Sequence, residues 1–135
     1  MPVQKLDHVN VRTSDLPGMI DFYQRVLGMK LGARPGFDFP GAWLYVGDQA
    51  VVHLIETVDS PPDYRPDQRL EHFALSASGL ADFLAHLRAH KVAYYCRVLP
   101  DFGIRQVNLH DSDGNHLHVD FAPDEDADLS DYDGS

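Results

Sequence analysis

A length of 135 residues, with 44% hydrophobic and 10% aromatic residues, is typical of one small globular domain and too short for two independent cores. The chain has no apolar run of about 18 residues for a membrane helix, no pattern typical of a secretory signal and no basic stripe for nucleic-acid phosphates. The formal charge is −10, and six acidic residues lie in the segment 123–135, for which we predict a flexible acidic tail. The single cysteine, Cys96, favours a reducing compartment. We therefore expect a cytoplasmic protein without membrane or nucleic-acid partners.

The first half of the chain predicts one strand, one helix and three further strands. Apolar and polar residues alternate at 6–11, which indicates a strand. Ser14 or Asp15 can cap the following segment, whose apolar residues recur at helical spacing until Gly28 ends the helix. The three further strands are predicted at 30–33, 43–46 and 51–56. Residues 3–58 thus form a first module with the order β-α-β-β-β.

The same order of elements returns after a Pro- and Asp-rich connector at 59–68. A strand at 70–75 and a helix at 80–90 begin the second module, residues 69–122. Its three remaining strands are predicted at 93–97, 105–110 and 116–121. Because so short a chain has one core, we predict a single α+β domain over 1–122, in which two βαβββ modules form a cupped eight-stranded mixed sheet with helices on the outside.

Four histidines occupy matched positions in the two modules. His8 and His53 are 45 residues apart, and His72 and His118 are 46 residues apart, so each module places one histidine on its first strand and one on its fourth. Strand alternation puts all four on the less apolar face. Neutral imidazole is the commonest side-chain ligand of divalent transition metals. The set therefore predicts a metal site, with Fe, Mn, Ni, Co or Zn as the candidate ion.

Other side chains are candidates for binding a substrate near such a site. Arg105 and Gln106 are polar strand residues suited to an anionic substrate, although a surface role on an edge strand explains them equally well. Asn10 shares a strand face with the first histidine. Trp43 and Phe37 are suited to wall a pocket or to pack in the core.

Several further residues resemble metal ligands by type. His116 lies on the same strand face as the last histidine of the set and is an alternative to it. Strand parity turns Glu56 and Glu71 away from their neighbouring histidines, so we do not expect either to be a ligand. His86 and His90 are one helical turn apart without the Glu that a metalloprotease helix carries, which favours a solvated pair.

The chain resembles the vicinal oxygen chelate superfamily in five stretches of residues 3–122, namely LDHVNV, DFYQRVLGMKL, AVVHLIE, LEHFAL and DSDGNHLHVDF. That superfamily includes glyoxalase I, extradiol ring-cleavage dioxygenases, fosfomycin-modifying enzymes and bleomycin-binding proteins. The resemblance implies metal ligands at His8, His53, His72 and His118, of which some members use only three. It also implies chelation of two neighbouring substrate oxygens by the metal, and a homodimer in which the site of some members takes ligands from both chains.

The chain departs from the family pattern at His118, where members usually have Glu. An all-imidazole site leaves the cation's charge uncompensated, which favours an anionic oxygen substrate. Glyoxalases use a ligand-position Glu as a base, and this chain has none at His118 or His53. A histidine such as His53 would therefore accept the proton, and Tyr45 and His110 are the candidates to assist a dioxygenase. We expect a metal-dependent lyase or isomerase of the glyoxalase type or a ring-cleavage dioxygenase, acting on a small vicinally oxygenated substrate. The alternative is a metal-free protein that sequesters an aromatic drug or metabolite.

Overall fold

The structure is a computed structural model that describes residues 2–135. Its elements, in chain order, are β1 (Val9–Thr13), α1 (Leu16–Arg25), β2 (Lys30–Gly32), β3 (Gly41–Val46), β4 (Gln49–Glu56), β5 (Phe73–Ser76), α2 (Leu80–Ala89), β6 (Tyr95–Val98), β7 (Arg105–His110) and β8 (His116–Phe121). The chain divides after residue 63 into two compact units, each with one βαβββ set. The predicted α+β class and the two repeated modules are confirmed, and the extent of the single domain over 1–122 stays a prediction.

Each unit contains one four-stranded mixed sheet with the same topology. The strand order is β1-β4-β3-β2 in the first unit and β5-β8-β7-β6 in the second. In both sheets the first strand pairs in parallel with the fourth, and the remaining pairs are antiparallel. The parallel pair places Asn10 opposite His53 in the first unit and Ala74 opposite His118 in the second. The sheet registers therefore reproduce the sequence repeat.

Helix α1 begins where its sequence predicts. Asp15 is the N-cap, and its carboxylate accepts a hydrogen bond from the Gly18 N–H at 3.1 Å. The helix ends at Arg25, and the chain turns at Gly28, whose φ of 69° is favourable only for glycine. Its inner face packs on β3, and Met19, Phe22 and Tyr23 are buried there. This packing leaves the opposite face of the sheet to the histidines.

Helix α2 takes its N-terminal cap from a distant part of the chain. The N-cap residue Gly79 has no side chain, and the Glu125 carboxylate accepts from Gly79 N–H at 3.0 Å and Leu80 N–H at 2.8 Å. Further along, Tyr132 and Tyr94 exchange two backbone hydrogen bonds of 3.0 Å. The acidic segment 123–135 thus contacts its unit at two points, while its flexibility stays a prediction.

No helix within residues 2–135 is long and apolar enough to cross a bilayer.

Candidate metal and substrate site

The first histidine of each unit lies directly before a strand rather than on it. His8 precedes β1 and His72 precedes β5, whereas the alternation pattern predicts both within strands. Outside a ladder neighbouring side chains are free to meet, and each ring bonds the acidic residue before it. His8 Nδ1 donates to Asp7 at 2.8 Å, and His72 Nδ1 donates to Glu71 at 2.8 Å. Strand parity therefore does not exclude Glu71 as a residue of the site, and its carboxylate bonds both His72 and His116.

His53 lies in the middle of β4, inside an aromatic stack. Its ring lies between His8, at a centroid distance of 3.7 Å, and Trp43, at 3.9 Å, with both partners nearly parallel to it. Its Nε2–H donates to the Ala50 carbonyl at 3.1 Å. Burial, and secondarily the His8 ring, lower the pKa of His53 below its ordinary value of 6.5. The ring is therefore neutral at neutral pH.

In the second unit, Glu71 joins two histidines. Its carboxylate accepts from His72 Nδ1 at 2.8 Å and from His116 Nδ1 at 2.6 Å, and ligand atoms of the three residues lie within 4.8 Å of one another. These two hydrogen bonds, led by that from His116, lower the pKa of Glu71. His116 Nε2 lies 2.9 Å from Asn108 Oδ1. The carboxylate is thus ionised beside two imidazoles.

His118, at the matched position on β8, is buried. Its Nδ1 donates to Asp120 on the same strand at 2.6 Å. Its ring lies 4.5 Å from that of His72, with 44° between the two planes. The second unit therefore brings together both of its predicted ligands.

The spacing of the rings shows how well each pair fits one ion. An ion about 2.1 Å from each nitrogen, with an angle of about 90–110° between them, places two ring centroids about 4.6–5.3 Å apart. His72 lies close to this range from His118, at 4.5 Å, and within it from His116, at 5.2 Å. The stack of His8 and His53, at 3.7 Å and 10°, is too close and too parallel for both rings to point at one ion. The ring spacings of the second unit are compatible with shared ligation of one divalent ion, whereas His8 and His53 reach such a spacing only after a ring rotates.

Two of the other predicted residues, Tyr45 and Trp43, line a cavity of about 510 Å³ in the first unit together with His8 and His53. The Tyr45 hydroxyl donates to the Ala33 carbonyl at 2.5 Å. This bond fixes the phenol as a wall of the cavity. Trp43 covers one face of His53, so it both shapes the cavity and buries that imidazole.

Asn10 and Phe37 have different settings. Asn10 is exposed on β1, in register with the fourth-strand histidine. Phe37 stacks on Phe39 at 4.8 Å in the loop before β3, with the guanidinium of Arg34 5.0 Å from the Phe37 ring. Phe37 is not among the residues that line the cavity of the first unit.

Arg105 bonds the acidic segment. Its Nε–H donates to the Glu125 carbonyl at 3.0 Å, its Nη1 donates to the Gly103 carbonyl at 2.5 Å, and its Nη2 lies 3.5 Å from Asp126. Its neighbour Gln106 pairs in register within the sheet. Substrate binding by either residue stays a prediction, and the structure gives Arg105 a role in holding the segment that caps α2.

His110 lies at the end of β7, beside a second cavity of about 660 Å³. The cavity lining comprises Ala93, Tyr94, Tyr95, Asn108, His110, Asp131, Tyr132, Asp133 and Ser135. His110 is exposed on one side, and its partial desolvation, followed by the nearby ring of His116, lowers the pKa of His110. A neutral imidazole at the edge of a cavity is suited to accept a proton from a bound molecule.

Sequence reasoning missed several members of the second unit's cluster. Asn108 is buried on β7 opposite His118, and Tyr64 lies 5.7 Å from the ring of His110. Tyr64 lies in the connector, where no hydrophobic periodicity indicates its position. It reaches the rings of His110 and His116 only in the folded chain. The sequence did contain one unused signal, an acidic residue directly before the first histidine of each module, as Asp7 and Glu71.

The chain contains two βαβββ units, and each has one histidine before its first strand and another on its fourth. This arrangement is that of a protein built from two repeated modules. The chain belongs to the Glyoxalase/Bleomycin resistance protein/Dioxygenase superfamily, whose family model matches residues 5–119. That family includes both lyases and dioxygenases.

Individual relatives are distant. The chain is 27% identical over 120 residues to Glyoxylase I 4 of Arabidopsis thaliana, a match covering 84% of this chain and 68% of that protein. Among solved structures, lactoylglutathione lyase from Agrobacterium tumefaciens has a TM-score of 0.68 at 21% identity, covering 91% of this chain and 97% of that one. A glyoxylase/bleomycin resistance protein/dioxygenase domain from Frankia sp. EAN1pec has a TM-score of 0.75 at 18% identity, covering 92% and 96%. At such identities the solved structures show the fold alone.

Proposed function

We propose that this protein is a divalent-metal-dependent enzyme that acts on a small, vicinally oxygenated and anionic substrate. The proposed ligands are His8 and His53 of the first unit and His72 and His118 of the second, with His116 as an alternative to His118. The observation that carries the proposal is the convergence of three imidazoles in the second unit, where the ring of His72 lies 4.5 Å from that of His118 and 5.2 Å from that of His116.

The ion would act as a Lewis acid toward two neighbouring substrate oxygens. Proton transfer would fall to neutral imidazoles of the chain. His110 borders a cavity and has a lowered pKa, so it is our first candidate for a proton acceptor. His53 is also neutral, although its Nε2–H is held by a backbone carbonyl and its two faces are covered. Tyr45, whose hydroxyl is already bonded, would shape the cavity.

The identity of the ion separates the two reactions that we consider. Iron, with open positions for oxygen, favours a ring-cleavage dioxygenase. Nickel, cobalt or zinc favours a lyase or isomerase of the glyoxalase type, in which the metal polarises a carbonyl. We further propose a homodimer, as the family resemblance implies, which sedimentation analysis of the full chain would test.

A second candidate function is supported by the aromatic stack of the first unit. The ring of His53 lies between those of His8, at 3.7 Å, and Trp43, at 3.9 Å, beside a cavity of about 510 Å³. Such a stack offers flat surfaces to an aromatic molecule. A metal-free protein that sequesters an aromatic compound would use this face.

Elemental analysis of protein purified without chelator tests the proposal. The variants are His72→Ala and, as a matched control, His86→Ala/His90→Ala, because the rings of His86 and His90 are a second neighbouring pair, 4.3 Å apart on α2, outside the proposed ligand set. We expect near-stoichiometric metal in the wild type and the control and its loss in His72→Ala. Absence of metal from the wild type, even after Fe, Mn, Ni, Co and Zn salts are added back, would leave the sequestering protein.

A further inference from the structure

Three of the four proposed ligand histidines bond a carboxylate through the same ring nitrogen, Nδ1. The bonds run from His8 to Asp7 at 2.8 Å, from His72 to Glu71 at 2.8 Å and from His118 to Asp120 at 2.6 Å. The first two carboxylates directly precede their histidines at matched positions of the repeat, and the third lies two residues after its histidine on β8. The same contact is therefore built in two different ways.

These bonds determine which nitrogen is free. An ionised carboxylate has only acceptor atoms, so Nδ1 must carry the proton and Nε2 of a neutral ring keeps its lone pair. No hydrogen bond to Nε2 of His8, His72 or His118 occurs within residues 2–135. All three rings thus present an unoccupied lone pair on the same type of nitrogen.

We propose that Asp7, Glu71 and Asp120 are positioning residues that fix the tautomer of three metal-ligating histidines, so that Nε2 is the ligand atom in each. This inference rests on the proposed metal-dependent function. Carboxylates bonded to ligand histidines orient the ring and raise the basicity of the free nitrogen. With an ion bound at Nε2, they would also supply, across the imidazole ring, the negative charge that His118 does not bring in place of Glu.

His53 of the first unit and His116 of the second are bonded differently. His53 donates through Nε2 to Ala50, so its lone pair lies on Nδ1. His116 has both nitrogens engaged, Nδ1 with Glu71 and Nε2 with Asn108. The hydrogen bonds thus select His118 over His116 as the ligand on β8, although both rings have a suitable distance from His72.

The tautomers can be measured directly in metal-free full-length protein by long-range ¹⁵N–¹H NMR of the histidine rings. We expect protonated Nδ1 and unprotonated Nε2 for His8, His72 and His118 at a pH where the rings are neutral. Asp7→Ala should turn His8 into a mixture of tautomers. Asp48→Ala, which removes the same charge from the same cavity without touching a histidine nitrogen, should leave His8 unchanged. Protonated Nε2 in wild-type His72 and His118 would overturn the inference.

Metal affinity is the second readout. Glu71→Gln keeps the shape of the side chain and removes its charge, and it should weaken Zn²⁺ and Co²⁺ binding by roughly 10–100-fold. Glu56→Gln, the same exchange at an exposed strand end, should leave both affinities unchanged. Tight binding in Glu71→Gln refutes the positioning role while the proposed function stands. A wild type that binds neither of these ions nor Fe, Mn or Ni refutes the proposed function, and the tautomer measurement still reports on the carboxylates.

Discussion

The cap that Glu125 provides for α2 can be removed without touching the core. Helix α2 begins after Gly79, which has no side chain to accept from the first free N–H groups. The Glu125 carboxylate accepts from two of them, at Gly79 and Leu80, and its charge lies at the positive end of the helix dipole. Glu125→Ala leaves both donors to water.

The expected cost follows from these two contributions. Loss of an N-cap costs about 0.5–2 kcal/mol, and loss of the charge at the helix end about 0.3–1 kcal/mol. We therefore expect Glu125→Ala to lower the free energy of unfolding by about 1.5 kcal/mol. For a chain of this size the melting temperature should fall by roughly 4–7 °C.

Urea unfolding followed by far-ultraviolet circular dichroism measures the change, with Asp124→Ala as the control. Asp124 is the adjacent, exposed acidic residue, so its removal changes the net charge equally and leaves the cap intact. Glu125→Gln should lie between the two, because its amide oxygen still accepts but carries no charge. Equal stability of Glu125→Ala and Asp124→Ala would refute the reasoning that the acidic segment caps α2.

Three further predictions concern individual side chains of the second unit. Burial raises the pKa of the Cys96 thiol to about 11, so iodoacetamide at pH 8 should modify the folded protein roughly 100-fold more slowly than the urea-unfolded chain. Partial desolvation also lowers the pKa of His110. As pH falls, the unfolded chain therefore takes up a proton at this histidine before the folded protein does, and the free energy of unfolding should decrease from neutral pH through 6.5. His110→Asn should show a shallower decrease. The buried Asp111 accepts from the backbone and side chain of Asn115 at 2.9 and 3.1 Å, and Asp111→Ala should cost about 2–3 kcal/mol in urea unfolding.

Each of these has an outcome that contradicts it. Rapid alkylation of folded Cys96 would show an ionised or freely accessible thiol. An acid slope that His110→Asn leaves unchanged would assign the proton uptake to another group. Wild-type stability of Asp111→Ala would mean that the hairpin between β7 and β8 does not depend on this carboxylate, and Asp113→Ala, which removes an exposed neighbour, is the matched control.

The repeat made most of the fold predictable. The matched intervals from His8 to His53 and from His72 to His118 are a property of the sequence, and the sheet registers reproduce them because each fourth strand pairs with the first strand of its own unit. Local chemistry also predicts the turns before β4 and β8, because Gly47-Asp48 and Asp113-Gly114-Asn115 are turn-forming residues. Local periodicity was sufficient for these features.

The surroundings of the histidines were less predictable, for two physical reasons. Alternation of faces holds only inside a paired strand, and Glu71 lies before β5 begins, so the parity rule did not apply to it. Contacts between distant segments leave no periodic signal. The bond from Arg105 to Glu125 and the stack of Trp43 on His53 depend on the completed fold.

The contact between Tyr132 and Tyr94 bears on how the outer edge of the second sheet is covered. Strand β6 is the outer strand of its sheet, and an outer strand presents unpaired N–H and C=O groups to which another molecule can add a strand. Tyr132 already occupies the two backbone groups of Tyr94 where that strand begins. The flanking Asp131 and Asp133 place negative charge on the same border. Residues 131–133 thus cover the start of β6, one of the two outer strands of this sheet, against pairing with a strand of another molecule.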